Sequence, residues 1–99
     1  MPYEITAYTK KRAKAIGAIV KPSKNPKHKI DVFSAKDGSF ITSVGAMGYG
    51  DFPTFQKEEQ EGKRPKGYAN ERRKLYKKRH QNNRTKEGSD GWFADQLLW

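Results

Sequence analysis

The sequence contains no cysteine, only two histidines and no long apolar run. Without cysteine, neither disulfides nor thiolate-bound metals can add to the stability of the core. The two histidines, His28 and His80, are far apart along the chain, so the sequence predicts no metal site. No apolar run approaches the roughly 18 residues of a membrane span, and the first residues lack the basic and then apolar pattern of a secretion signal. We therefore expect a soluble protein that is not secreted, has no membrane partner and acts inside a cell.

Motifs of catalysis are equally scarce. No serine stands in a Gly-x-Ser-x-Gly turn, and the glycines of residues 45–50 have neither dinucleotide-binding spacing nor a following Gly-Lys-Ser or Gly-Lys-Thr. We predict no catalytic residue and no cofactor. A Mg²⁺-dependent nuclease is an alternative, because carboxylates could hold the ion, but no recognisable spacing joins them to a catalytic lysine. The carboxylates considered for this role are Asp31, Asp37, Asp51 and Glu58.

Positive charge is abundant and unevenly distributed. The chain has 99 residues and a formal net charge of +10. Residues 10–29 contain eight basic side chains and no acidic one, and residues 63–86 contain eleven basic side chains against Glu71 alone. Like charges concentrated in this way repel one another, so the two segments are easier to explain if an anion covers them. The distribution indicates a polyanionic partner, nucleic acid above all.

The first half of the chain combines one helix with three strands. At this length we expect a single compact domain over residues 1–99. Good helix formers after the capping candidates Thr6 and Thr9, with Gly17 as a stop, predict a helix over residues 7–16. Segments rich in β-branched and aromatic side chains predict three antiparallel strands, and Asp37-Gly38 indicates a hairpin between the last two. These strands cover residues 18–21, 30–34 and 40–44.

The second half favours helices. Asp51 can cap a helix that ends near Gly62, residues 68–82 predict the longest helix, and Ser89 or Asp90 can cap a terminal helix over residues 92–99. Together with the strands, these elements predict an α+β fold in which two or three helices pack on the sheet. The expected packing residues are Phe52 and Phe55, the face of the long helix with Tyr68, Ala69, Leu75 and Tyr76, and the terminal Trp92, Phe93, Leu97, Leu98 and Trp99.

Lysine and arginine at helical spacing are the main candidates for phosphate contact, and a basic loop before His28 is a second candidate. In that loop, Ser23 and Asn25 could donate further hydrogen bonds to phosphate. Tyrosines among the cations could stack on bases, as aromatic rings do in single-strand binders; these are Tyr8, Tyr68 and Tyr76. The predicted nucleic-acid contacts are Lys10, Lys11, Lys14, Lys21, Lys24, Lys27, Arg73, Lys77, Lys78 and Arg84.

Each of these features also has a purely structural interpretation. The cationic helix could be a solvated surface that complements the acidic residues Glu58, Glu59 and Glu61. The basic loop could be a solubilising turn, and the tyrosines could lie at the edge of the core. Arg72 and Arg79 point away from the predicted phosphate face and could pair with carboxylates or cover apolar surface.

Five stretches of the chain carry a resemblance to a known family. They are residues 8–14, 20–23, 29–33, 72–80 and 94–99. In order and spacing they resemble a family of small basic proteins of unknown function from large double-stranded DNA viruses of algae and protists, Chlorella-virus-like and mimivirus-like. The resemblance implies a viral origin, located in the virion or inside the infected host cell, in the cytoplasm or nucleus. It supplies no active site.

The leading hypothesis is a viral nucleic-acid-binding protein that contacts backbone phosphate with little sequence specificity, with DNA favoured over RNA. The alternative is a virion structural or minor capsid component whose basic surface meets acidic capsid protein. The nuclease is the third hypothesis. The oligomeric state does not follow from the sequence.

Overall fold

The computed structural model describes residues 3–99 and divides the chain into two compact units, which we describe separately. Unit 1 extends to Tyr49 and unit 2 runs from Gly50 to Trp99. The chain has an α+β fold, with one helix, a three-stranded antiparallel sheet and then further helices. The fold class, the N-terminal helix and the sheet are therefore confirmed. A single domain over the whole chain and the packing of the later helices on the sheet stay predictions.

Helix α1, Ala7–Ala15, opens unit 1. It begins where the Thr6 side chain accepts a hydrogen bond from the Thr9 backbone N–H at 3.3 Å, the N-terminal cap expected for a threonine. It ends before Gly17, whose φ of 71° is a conformation that glycine adopts without strain. Thr9 and Ala13 are buried one turn apart, so one face of α1 packs and the remainder meets solvent.

The sheet has the order β1-β2-β3, with β1 at Ala18–Pro22, β2 at His28–Ser34 and β3 at Phe40–Ala46. The side chains of Ile30 and Val32, two residues apart on the central strand, lie on the same face of the sheet. Both residues are fully buried, at 0% exposure. The register shifts beside Val32, which pairs with Thr42 whereas Phe33 pairs with Phe40. Ile41 is therefore an extra residue that bulges β3. The predicted hairpin is confirmed, and residues 35–39 connect its strands as expected.

Unit 2 contains α2 at Phe52–Gln60, α3 at Tyr68–Arg79, the single-turn α4 at Gln81–Arg84 and α5 at Asp90–Leu98. Asp51 caps α2 and Ser89 caps α5, each by accepting a hydrogen bond from a backbone N–H three residues ahead. Both caps were among those predicted. The core of this unit is formed by Phe52, Phe55, Ala69, Phe93, Leu97 and Leu98.

The start of α3 depends on α2. Gly67, the residue before α3, has no side chain with which to cap it. Instead, Glu59 of α2 accepts a hydrogen bond from the Ala69 backbone N–H through its Oε1. The Glu59 carboxylate thus supplies both an acceptor and a negative charge at the positive end of the α3 dipole.

Two expectations for the long helix were wrong. The helix predicted for residues 68–82 ends at Arg79, because His80, with φ −108° and ψ 19°, leaves the helical conformation before α4 begins. Leu75, expected on the packing face, is 45% exposed. The helix is so rich in polar residues that periodicity alone did not identify which side is buried.

No helix among residues 3–99 is both long enough and apolar enough to cross a membrane.

Replacing Leu97 by alanine should destabilise the protein by about 2–5 kcal/mol, because this side chain is fully buried and its removal leaves a cavity. Urea unfolding measures the loss. The matched control is Leu75→Ala, at a 45% exposed position, which should change the free energy of unfolding by less than about 0.5 kcal/mol. Equal effects of the two substitutions would contradict the assignment of the core.

Candidate nucleic-acid interface

The basic loop between β1 and β2, residues 23–27, is held in place by Asp31. The hydroxyls of Ser23 and Ser43 each donate to Asp31 Oδ1 at 2.6 Å, and the Lys24 backbone N–H donates to Oδ2 at 3.3 Å. Asp31 is 8% exposed. A carboxylate in β2 therefore joins the loop to β3 through charge-assisted hydrogen bonds, which are stronger than neutral ones.

These hydrogen bonds determine the ionisation of Asp31. Burial by itself raises the pKa of this carboxyl, but the hydrogen bonds from Ser23, Ser43 and the Lys24 backbone favour the charged form and leave the pKa below its ordinary value of 3.8. Asp31 is ionised at neutral pH. It therefore places one negative charge beneath a loop that is otherwise cationic.

The polar side chains of the loop are used within the loop. Ser23 Oγ accepts from the Asn25 backbone N–H at 3.1 Å while donating to Asp31, and Asn25 Oδ1 accepts from the Lys27 backbone N–H at 2.9 Å. The Ser23 hydroxyl hydrogen is therefore already donated to Asp31, which conflicts with its predicted role as a phosphate donor, whereas Asn25 uses only its oxygen here and its role as a donor stays a prediction. The loop presents Lys24 and Lys27 to solvent, together with Asn25 and Pro26.

All the predicted phosphate contacts of unit 1 are exposed, and none of them forms a salt bridge with any residue in 3–99. Lys10 and Lys14 lie one turn apart on α1, where they are neighbours on the helix surface. Lys29 Nζ lies 5.3 Å from the centre of the Tyr3 ring, so the chain just before α1 lies beside β2 near the basic loop. The segment that leads into α1 therefore contacts the strand that follows the basic loop. The exposed set is Lys10, Lys11, Lys14, Lys21, Lys24 and Lys27.

The predicted cations of unit 2 are arranged differently. Lys77 Nζ pairs with Asp95 Oδ1 at 2.8 Å, and Arg84 Nε donates to the Lys77 carbonyl at 3.1 Å. The Arg73 guanidinium lies 4.0 Å from the centre of the Phe52 ring. The face of α3 expected to meet phosphate thus contacts the rest of unit 2. Lys78 alone of the four cations predicted there is exposed and outside any ion pair with residues 3–99.

The acidic residues at the end of α2 pair with cations that precede α3. Arg64 Nε lies 3.6 Å from Glu58 Oε1, and Lys63 Nζ lies 3.4 Å from Glu61 Oε1. Glu59 accepts a hydrogen bond from the α3 backbone. Within residues 3–99, no salt bridge joins a cation of α3 to Glu58, Glu59 or Glu61, so the alternative in which the cationic helix complements the acidic one stays a prediction.

The three tyrosines suggested for base stacking all have partly buried side chains. Tyr76 lies between His80 and Trp99, with each ring centre 4.3 Å from its own, so both faces of the Tyr76 ring are covered. Burial and the nearby Asp95 carboxylate raise the pKa of the Tyr76 hydroxyl above its ordinary value of 10.0, so the hydroxyl is neutral at neutral pH.

Tyr68 also has partners within unit 2. It packs edge-on against Phe55, with the ring centres 5.2 Å apart, and the Arg64 guanidinium lies 4.9 Å from the centre of its ring. Tyr8, in α1, is partly buried. The positions of Tyr68 and Tyr76 favour the core-edge interpretation over stacking on bases.

The carboxylates considered for Mg²⁺ have other roles. Asp51 caps α2, Glu58 pairs with Arg64, and Asp37 accepts hydrogen bonds from the Ser39 backbone N–H and hydroxyl at 3.0 and 2.7 Å. Within residues 3–99, no group of three or more histidine or carboxylate side chains is arranged to hold a metal ion. The nuclease hypothesis stays a prediction without a site.

An exposed apolar patch on the sheet was missed by the sequence reasoning. It consists of Ile19, Phe33 and Phe40 and is called the sheet patch below. Ile19 pairs with Phe33 across β1 and β2, and the Phe33 and Phe40 ring centres are 5.7 Å apart. Ile19 is 43% exposed and Phe40 is 58% exposed. The alternation of buried and exposed residues along the strands was the available signal for this patch. The bulge at Ile41, which sets the position of Phe40, has no sequence pattern of its own.

Comparison of the chain with protein-family models, with curated proteins and with solved structures finds no significant match. The resemblance to the viral family stays an expectation.

Substituting asparagine for Asp31 should lower the free energy of unfolding by about 2 kcal/mol at neutral pH, because charge-assisted hydrogen bonds to a buried group are lost. The folded-state pKa of Asp31 is depressed, so its contribution is present above the ordinary value of 3.8 and is lost as the pH falls through the lower folded-state pKa. Urea unfolding over a pH series should therefore show the two proteins converging in acid.

The control for this experiment is Glu4→Gln, which removes one exposed carboxylate from the same unit. It should alter stability by less than about 0.5 kcal/mol. If Asp31→Asn is as stable as the native protein at neutral pH, Asp31 does not hold the loop.

Replacing Lys77 by methionine should cost about 2 kcal/mol or more, because the Asp95 side chain, 5% exposed, would lose its cationic partner. The Lys77 side chain is 35% exposed, so solvent screening keeps the loss below that of a fully buried pair. Lys78→Met, at the adjacent exposed position, is the control and should change stability by less than about 0.5 kcal/mol. Thermal or urea unfolding that ranks the two equally would show that the ion pair does not stabilise unit 2.

Proposed function

We propose that this protein binds nucleic acid through the phosphate backbone and that unit 1 makes the principal contacts. The observation that carries the proposal is the set of six exposed lysines in unit 1, none of which is neutralised by a carboxylate of residues 3–99. These are Lys10, Lys11, Lys14, Lys21, Lys24 and Lys27.

The charge balance of unit 1 supports the proposal. Up to Tyr49 the chain has nine lysines and arginines against three carboxylates. One of the three, Asp31, is buried and already accepts three hydrogen bonds. The exposed positive charge is therefore free to release counterions from a phosphate chain, which supplies most of the affinity in non-specific binding.

The same geometry argues for little sequence preference. Lysine ammonium groups act as point charges, whereas base recognition requires donors and acceptors positioned in a groove. The arginines proposed earlier as contacts, Arg73 and Arg84, are engaged inside unit 2. We assign unit 2 a mainly structural role, with Lys78 as its exposed candidate contact.

A viral origin is a second part of the proposal and rests on the resemblance alone. The genome of a large DNA virus offers phosphate both as duplex and, while it is copied, as single strands, and non-specific phosphate binding would serve either form. Under this part of the proposal, DNA is the natural partner.

A salt titration tests the proposal. At low salt the protein should shift both DNA and RNA oligonucleotides, with an affinity that falls steeply as salt rises. Substituting glutamine for Lys10, Lys11 and Lys14 together should reduce the slope of log affinity against log salt by about 2 to 3, since each phosphate contact contributes about 0.7 to 0.9.

A variant with the same change in net charge provides the control. Lys57, Lys66 and Lys86 are exposed residues of unit 2, and their joint replacement by glutamine should leave the slope within about one unit of the native value. Equal losses in the two triple variants would mean that only net charge matters. No shift at low salt would overturn the proposed function.

A further inference from the structure

We infer that the sheet patch is a stacking platform for unpaired bases and that the preferred ligand is single-stranded nucleic acid. This inference rests on the proposed function and specifies its substrate class. It begins with the exposure of the Phe40 ring, which is 58% exposed at the start of β3. Phe33 contacts it edge-on, at an interplanar angle of 73°, and more than half of the residue stays accessible to solvent. An exposed aromatic ring offers a π-surface on which a base can stack.

One cation lies beside the sheet patch. Lys21 Nζ lies 5.3 Å from the centre of the Phe33 ring, and Lys21 pairs with Asp31, two residues before Phe33, in the sheet register. The basic loop, with Lys24 and Lys27, lies beyond the opposite end of the β1–β2 pair, because Pro22 pairs with Ile30 whereas Ile19 pairs with Phe33. A strand whose base stacks on Phe40 therefore has its nearest phosphates beside Lys21, and its next nucleotides can follow β1 towards Lys24 and Lys27. Single-strand binders combine a stacking ring with a cationic path for the backbone in this way.

The two carboxylates closest to the sheet patch in sequence leave no net negative charge beside it. Asp31 lies on the same face of β2 as Phe33, because residues two apart share a face, but it is buried and accepts three hydrogen bonds. Asp37, in the loop that precedes β3, is exposed and charged, but Lys36 next to it is exposed as well, so residues 35–39 have no net charge. The exposed surface next to the sheet patch is therefore apolar, and Lys21 gives it a net positive charge.

The ligand must offer exposed bases. In a duplex the bases are paired and stacked on one another, so Phe40 could meet them only after unpairing, whereas a single strand presents them directly. A second copy of this chain is a weaker candidate for the sheet patch, because its lysines would face those of the first copy across the contact. The chemistry common to single-stranded DNA and RNA, unpaired bases on a phosphate chain, is what the sheet patch fits.

The test compares oligothymidylate, oligouridylate and a duplex of the same length by fluorescence anisotropy at one salt concentration. The full-length native protein should bind at least one of the single strands more tightly than the duplex. Phe40→Leu keeps an apolar side chain but removes the ring, and it should weaken single-strand binding by about tenfold or more. Its affinity for the duplex should stay within about twofold, and the salt slope should be unchanged, since no phosphate contact is removed.

Ile41→Ala is the matched control. Ile41 is the residue after Phe40 in β3, is 41% exposed and has no ring on which a base could stack. Its replacement should leave single-strand affinity within about twofold of the native value. Thermal unfolding monitored by circular dichroism should confirm that both variants fold.

The outcomes separate the two proposals. Absence of binding to any of the three ligands at low salt would overturn the proposed function itself. Phosphate binding that is equal for strands and duplex and unaffected by Phe40→Leu would overturn only the stacking platform. A native dimer that Phe40→Leu converts to a monomer in sedimentation, with single-strand affinity unchanged, would assign the sheet patch to self-association instead.

Discussion

The cationic loop of unit 1 depends on a single buried carboxylate, that of Asp31. Its oxygens accept hydrogen bonds from Ser23 and Lys24 of the loop and from Ser43 of β3, so the loop and two strands are joined at one point. Without it, the loop would have lysines close together and no anion nearby, and their repulsion would favour an open ensemble. The loop lysines of the proposed interface are therefore held in position by the negative charge of Asp31.

Local signals in the sequence were sufficient for most of the fold. The caps at Thr6, Asp51 and Ser89, and the hairpin itself, all depend on residues within a few positions of one another. The orientation of α3 could not be predicted in this way. Which face of α3 is buried depends on partners distant in sequence, such as Asp95, which is 18 positions from Lys77. In addition, a helix with so few apolar residues has no clear hydrophobic stripe.

One part of the candidate site could likewise be predicted from the sequence, and the other part could not. The exposed lysines of unit 1 lie in residues 10–29, a segment that itself contains no carboxylate, so composition was enough to indicate them. The sheet patch depends on the register of three strands and on the bulge at Ile41, both of which are set by pairing between distant residues. Tyr76 is a further example, since its position among cations in the sequence did not decide between base stacking and the edge of the core, whereas the fold places it between His80 and Trp99.

The bond between Glu59 and the Ala69 amide has a consequence for how unit 2 loses its structure. The Ala69 N–H has its acceptor only while α2 is folded, because Gly67 has no side chain that could replace Glu59. Fraying of α2 at its C-terminal end therefore also removes the cap from α3 and leaves the Ala69 amide without this partner. Loss of structure at the end of α2 thus spreads to the start of α3.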